Sequence, residues 1–196
     1  MTSQDEAAPA APAPADVRAA CPPGHPVPDS QRQGGGPHPR DVARQIVLRQ
    51  LAIAPRSRAE LMQKLAQRGC AADVAASVLD RMTQVGLVDD QAYAQMLVRT
   101  QQAERGLARR ALAAQLRTKG IDDHLAREAL ASITDEDECD RARALVEKKL
   151  RAMHGLGIEV QTRRLAAMLA RKGYSWSVSY TVIREVIADS PEHLPD

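Results

Sequence analysis

Large apolar residues recur at fixed distances from three glycines, Gly69, Gly120 and Gly173. Eight residues before each glycine stand Leu61, Leu112 and Leu165, and four before it Leu65, Leu116 and Leu169. Five after come Val74, Leu125 and Val178; nine after, Val78, Ala129 and Val182; ten after, Leu79, Leu130 and Ile183. Steps of four, and of four then one, keep side chains on one face of an amphipathic helix. Each glycine therefore separates two helices. The glycines lie 51 and then 53 residues apart, so the unit occurs three times in tandem.

The glycine itself explains the break. LAQRGC, LRTKGI and LARKGY share one construction: Leu, two variable residues, Arg or Lys, Gly, then an apolar residue. Glycine enters the left-handed region without a Cβ clash, and the residue after it then touches the Leu four before the glycine. A third helix fits ahead of each pair, at roughly 40–54, 90–104 and 135–153. Asp89 can cap the second of these, and Thr134 with Asp137 can form a capping box on the third. Ser57 with Glu60 is a box for the first unit's middle helix, just after Pro55 ends the helix before it. No strand alternation is evident. The expected fold is all-α, an elongated, curved tandem array of three three-helix repeats with about nine short helices.

Composition adds the boundaries. Residues 1–39 contain APAAPAPA, CPPGHPVP and QGGGPHP and offer almost nothing large and apolar to bury, so they read as a disordered tail. The repeats then span 40–88, 89–133 and 134–188, with a short C-terminal tail at 189–196. No stretch has the length of a membrane span or the apolar core of a secretory signal. Cys21, Cys70 and Cys139 are an odd set without metal-ligand spacing, which points away from a disulfide framework and toward a reducing cytoplasm. Phe is absent, so Leu, Val, Ile, Met and Ala must build the cores. Trp176 and Tyr180, four apart on one helix, read as part of the last core. Units of about 50 residues are small for an isolated core, so neighbours are expected to lean on one another.

The net charge of +2 divides unevenly. Residues 1–39 carry two basic and four acidic groups, 40–134 fifteen and ten, and 135–196 ten and eleven. Most of these charges suit solvated helix faces. The arginines expected at the starts of the middle helices do not: Arg58, Arg109 with Arg110, and Arg163 with Arg164. A cation there opposes the helix dipole, at about 0.3–1 kcal/mol when exposed. An acidic protein surface or phosphate would account for them. Lys119 and Lys172, at the favourable C-terminal ends, are weaker candidates.

Chemistry is otherwise sparse. There is no HExxH, CxxC, or Walker- or Rossmann-type glycine loop, and GGGP at 34–37 follows no strand. Cys70 fills the apolar slot held elsewhere by Ile121 and Tyr174, so a Cys70–His124 nucleophilic pair has little support. The acidic run DEDECD at 135–140 complements a helix N-terminus. With so few aromatics, a platform for stacking single-stranded bases is also disfavoured. Neither an enzyme nor a cofactor is indicated.

Four blocks nonetheless fall in a familiar order: SRAELMQKLAQRG (57–69), LDRMTQVGLVDDQAYAQMLVR (79–99), the run from Gly106 to Gly120–Ile121, and RKGYSWSVSYTVI (171–183). Over roughly 42–188 the chain resembles the RecX family. The most specific block is GLVDDQAYA, in which Gly86, Leu87, Asp89, Asp90, Tyr93 and Ala94 fit the family pattern. Cys70 departs from it, since an aromatic usually follows that glycine, and the Pro/Ala-rich tail lies outside the shared core. The resemblance implies a triple-helix-bundle array and a regulator of the RecA recombinase. Such proteins bind the RecA–single-stranded DNA filament in its groove and suppress extension, ATP hydrolysis, strand exchange and co-protease activity. Arg109, Arg110, Arg163 and Arg164, then Lys119 and Lys172, are the candidate contacts to RecA or the DNA backbone. Without the resemblance, the same helix–turn–helix units fit an autonomous DNA-binding protein or a passive helical adaptor.

Overall fold

The computed structural model describes residues 38–189, and within them the chain is helical, with no strand. The first triplet is α1 (Pro39–Ile53), α2 (Arg58–Gln67) and α3 (Ala72–Gln84). The second is α4 (Asp90–Arg105), α5 (Arg109–Thr118) and α6 (Asp123–Leu130). The third is α7 (Asp135–Arg151), α8 (Ile158–Arg171) and α9 (Trp176–Ala188). The segments 1–37 and 190–196, which include most of both expected tails, Cys21 and the GGGP run, lie outside the described residues. Helix α1 begins at Pro39, inside the stretch read as tail, because proline suits the first helical position, where no intrahelical N–H bond is lost.

The local signals work as their chemistry requires. Ser57–Glu60 and Thr134–Asp137 are reciprocal capping boxes, and the Asp89 side chain accepts from the Ala92 amide. Each middle helix ends in the same Schellman geometry. Cys70, Ile121 and Tyr174 donate their amides to the carbonyls of Leu65, Leu116 and Leu169, at 3.1 Å in every case. Gly69, Gly120 and Gly173 hold the left-handed turn at φ +74°, +68° and +89°.

In each triplet the first helix lies against the third, and the middle helix closes over them. Three apolar clusters result, one centred on each triplet, and Ala108 of the second triplet packs into the third cluster. Their centres are the leucines flanking each glycine: Leu61 and Leu65, Leu112 and Leu116, Leu165 and Leu169, all with 1% exposure or less. Full burial of one such side chain stabilises by about 1.5–3 kcal/mol.

Two expectations are corrected. Trp176 and Tyr180 are not core: they stay 77% and 53% exposed, and their rings stack on each other with centroids 5.1 Å apart. The buried face of α9 is Ser179, Val182, Ile183, Val186 and Ile187 instead. Helix α8 also starts earlier than the repeat spacing indicates. Gly157 is its N-cap, whereas Ser57 and Ala108 cap the shorter α2 and α5. Arg163 and Arg164 are therefore the sixth and seventh residues of α8, a full turn past its start, and do not oppose the dipole there.

Candidate partner-binding surface

Two of the three glycine stops, at Gly120 and Gly173, prove to be joints between repeats as well as helix ends. At the first joint, Ser57 Oγ donates to the Lys119 carbonyl at 2.6 Å, across 62 residues of chain. Lys119 Nζ reaches Glu60 Oε1 at 2.6 Å, and the Tyr93 hydroxyl donates to Glu60 Oε2 at 3.2 Å. Burial alone would raise the Glu60 carboxyl, but the Lys119 hydrogen bond, the Ser57 amide, the Lys119 charge and the Tyr93 hydroxyl outweigh it and hold it below the ordinary value. Burial, with the Glu60 charge and hydrogen bond, pushes Tyr93 up to about 12.

The second joint is built on the same frame from different atoms. The backbone amide of Ala108 donates to the Lys172 carbonyl at 3.0 Å, in the role that the Ser57 hydroxyl plays for Lys119. The Tyr174 hydroxyl donates to the Gly106 carbonyl at 3.1 Å, and Lys172 Nζ donates to the Arg105 carbonyl. Burial and then the Arg105 charge hold the Lys172 ammonium below the ordinary lysine range. Tyr174 is pushed up to about 12 by burial and the Glu138 charge. Both joints also require the absence of a side chain. A Cβ on Gly120 would collide with the Ala59 methyl, and one on Gly173 would lie 2.7 Å from both Cβ and N of Ala111.

Arg109 belongs to this second joint. Its backbone amide donates to Glu138 Oε1 at 2.7 Å and its Nε to Glu138 Oε2 at 3.1 Å, while Nη2 meets Asp135. The acidic run thus compensates two things, the dipole of α7 and the arginine of the preceding repeat. The first joint has the parallel contact, from the Arg58 amide to Asp90 Oδ1 at 2.7 Å. An arginine opening a middle helix is matched, in both cases, by an acid in the first turn of the next repeat. That pairing is the sequence signal that a reading of each helix alone missed.

Of the six candidate contacts, Arg109, Lys119 and Lys172 are thus engaged within the chain. Arg110, Arg163 and Arg164 are exposed and make no ion pair among the described residues. Cys70 packs against the first core, and His124 instead sits 3.7 Å from Glu128.

Two surface features escaped the sequence reading. One is an apolar groove of about 490 Å³ along α8 and α9, where Ile158, Trp176 and Tyr180 stand exposed. The other is a basic groove of about 580 Å³ at the second joint, lined by Arg105, Arg141, Lys148, Lys149 and Lys172. Its cations come from three helices, so no one helix reveals it. Among the described residues, no group of three or more His, Cys, Asp or Glu could hold a metal ion, and no helix is long and apolar enough to cross a membrane.

Three triplets, each built around its own core and each clamped to the next through a glycine stop, define a tandem helical-repeat protein with an apolar and a basic groove on its surface. Family models describe these triplets in order: "RecX, first three-helix domain" matches residues 43–82, the second 89–130 and the third 135–183. The chain belongs to the RecX family of regulatory proteins. It is 45% identical to "Regulatory protein RecX" of Thermobifida fusca over 155 residues, covering 78% of this chain and 84% of the relative. It is 44% identical to that of Streptomyces coelicolor over 173 residues, covering 85% and 92%. The crystal structure of RecX from Lactobacillus salivarius superposes with a TM-score of 0.68 at 24% identity, over 76% of this chain and 96% of that one, a likeness of fold.

Proposed function

We propose that this chain regulates the RecA recombinase in the cytoplasm: it binds RecA and its single-stranded-DNA filament and suppresses filament extension, ATP hydrolysis, strand exchange and co-protease activity. The observation that carries this reading is the ordered presence of all three family domains on one chain, with relatives at 42–45% identity named regulatory proteins. Repeated units suit a partner that itself repeats, because a second contact made by a linked module is intramolecular and gains avidity. Arg110, Arg163 and Arg164 are exposed and make no ion pair among the described residues, which leaves them open to an acidic protein surface or DNA backbone. Arg109, Lys119 and Lys172 would act there chiefly by holding the joints.

The test is DNA-stimulated ATP hydrolysis by the cognate RecA, titrated with this chain, beside a DNA-only binding control at the same salt. Inhibition well below one chain per RecA, where naked DNA is unoccupied, is the expected result. If loss of hydrolysis merely follows coverage of the DNA, the chain is an autonomous DNA-binding protein. If neither partner responds, it is an adaptor for something else.

A further inference from the structure

We propose that the basic groove between the second and third repeats seats the phosphodiester backbone of a single nucleic-acid strand. The inference rests on the regulatory reading above and names the surface that meets the strand. The groove gathers five cations, Arg105, Arg141, Lys148, Lys149 and Lys172, against one acid, Glu104. The ends of α4, α7 and α8 converge on it, and each helix C-terminus contributes roughly −0.5 charge. Even with all three counted in full, the groove keeps a surplus of about +2.5. A groove beside α1 and α3 shows the contrast. There Arg40, Arg44 and Arg81 face Asp41, Asp73 and Asp80, and the charges cancel.

Two further observations mark the groove as lacking a partner. Arg141 Nη1 and Gln102 Nε2, both on residues lining it, are buried donors with no hydrogen-bond acceptor. Such a donor costs about 1–3 kcal/mol; as both atoms are closed to solvent, a ligand's oxygens reach them only when the side chains turn toward the groove. Asp137, the acid whose charge Arg141 feels, is already committed to the Thr134 capping box. The cations are also strung out. Arg141 to Lys149 covers about 12 Å of helix at 1.5 Å per residue, too long for one carboxylate or phosphate and suited to a chain of them.

The experiment uses the full chain without RecA. Anisotropy of a labelled oligo(dT) strand, and of an abasic deoxyribose-phosphate strand of equal length, is measured at 50 and 200 mM salt. Lys172 already donates to the Arg105 carbonyl, which leaves four cations for phosphates. Four contacts to a single strand weaken binding about 50-fold between those salts. The Lys148→Ala/Lys149→Ala variant leaves two contacts, and the loss shrinks to about 7-fold. Both lysines are exposed, so the variant keeps its fold. Arg44→Ala/Arg81→Ala removes the same charge elsewhere and should behave as wild type.

Wild-type affinity and salt dependence in the lysine variant would overturn the proposal, as would equal loss in the control. Failure of the abasic strand to bind would overturn the assignment to phosphate, as would equal displacement of the strand by polyglutamate. RecA ATPase is followed in parallel. A lysine variant that loses the strand but still suppresses RecA supports the groove and leaves the regulatory reading intact. Strand binding by a wild type that leaves RecA unaffected supports the groove and sinks that reading alone.

Discussion

Replacing Gly173 with alanine isolates what the second joint contributes. Any alanine at a left-handed position costs about 1–2 kcal/mol. Gly69 has φ +74° and open space around an added Cβ, so Gly69→Ala should lose that amount and no more. Gly173 has φ +89° and is buried, and its Cβ would lie 2.7 Å from the backbone nitrogen of Ala111, which cannot rotate aside. Forcing a methyl into such a contact adds about 1–3 kcal/mol, for a total of about 2–5 kcal/mol. Urea unfolding measures the difference: at about 2 kcal/mol per molar urea, the Gly173→Ala midpoint should fall about 0.5–1.5 M below that of Gly69→Ala. Hydrogen exchange at the Ala108 amide, which is bonded to the Lys172 carbonyl, reads the joint directly. It should accelerate in Gly173→Ala and stay unchanged in Gly69→Ala. Equal midpoints and equal exchange would refute the claim that the glycine is kept for close approach between repeats.

Trp176→Ala should cost only about 1 kcal/mol, the worth of the Tyr180 stack, where a core tryptophan would cost about 3–5; thermal melts decide. Reversing Arg109 to Glu sets it against Glu138 and Asp135 and should destabilise by about 1–2 kcal/mol, while Arg110→Glu should stay within about 0.5 in the same urea assay. Because Glu60 has a lowered folded-state pKa, its contribution is complete above its ordinary value of 4.5 and is lost as pH falls through the lower folded value. Glu60→Gln should therefore be less stable than wild type at pH 7, and the gap should close toward pH 3 in denaturant titrations.

How far the sequence reached follows from the range of each interaction. Helix stops at Gly69, Gly120 and Gly173 were legible because a Schellman turn is made by six consecutive residues. The capping boxes at Ser57 and Thr134 were legible for the same reason. Joints were not, since Ser57 meets Lys119 across 62 residues and Tyr174 meets Gly106 across 68. Arg109 looked unpaired only because its acids lie 26 and 29 residues away, in the next repeat. Arg163 and Arg164 were placed by analogy with the shorter middle helices, and the longer α8 broke that analogy. Trp176 and Tyr180 have helical spacing, but on α9 the apolar stripe is wider than the face its neighbours cover. The basic groove needed three helix ends brought together, which no periodicity encodes.

Each joint takes hold of a backbone carbonyl, that of Lys119 or Lys172, at the very residue where a helix ends. A carbonyl is present whatever side chain stands there, and around it a few polar bonds combine with close contacts of small groups, Gly120 on Ala59 and Gly173 on Ala111. Pulled from its two ends, such a chain should part at its couplings before any bundle melts. The joints would serve as mechanical fuses, letting repeats slip and re-engage while each remains folded.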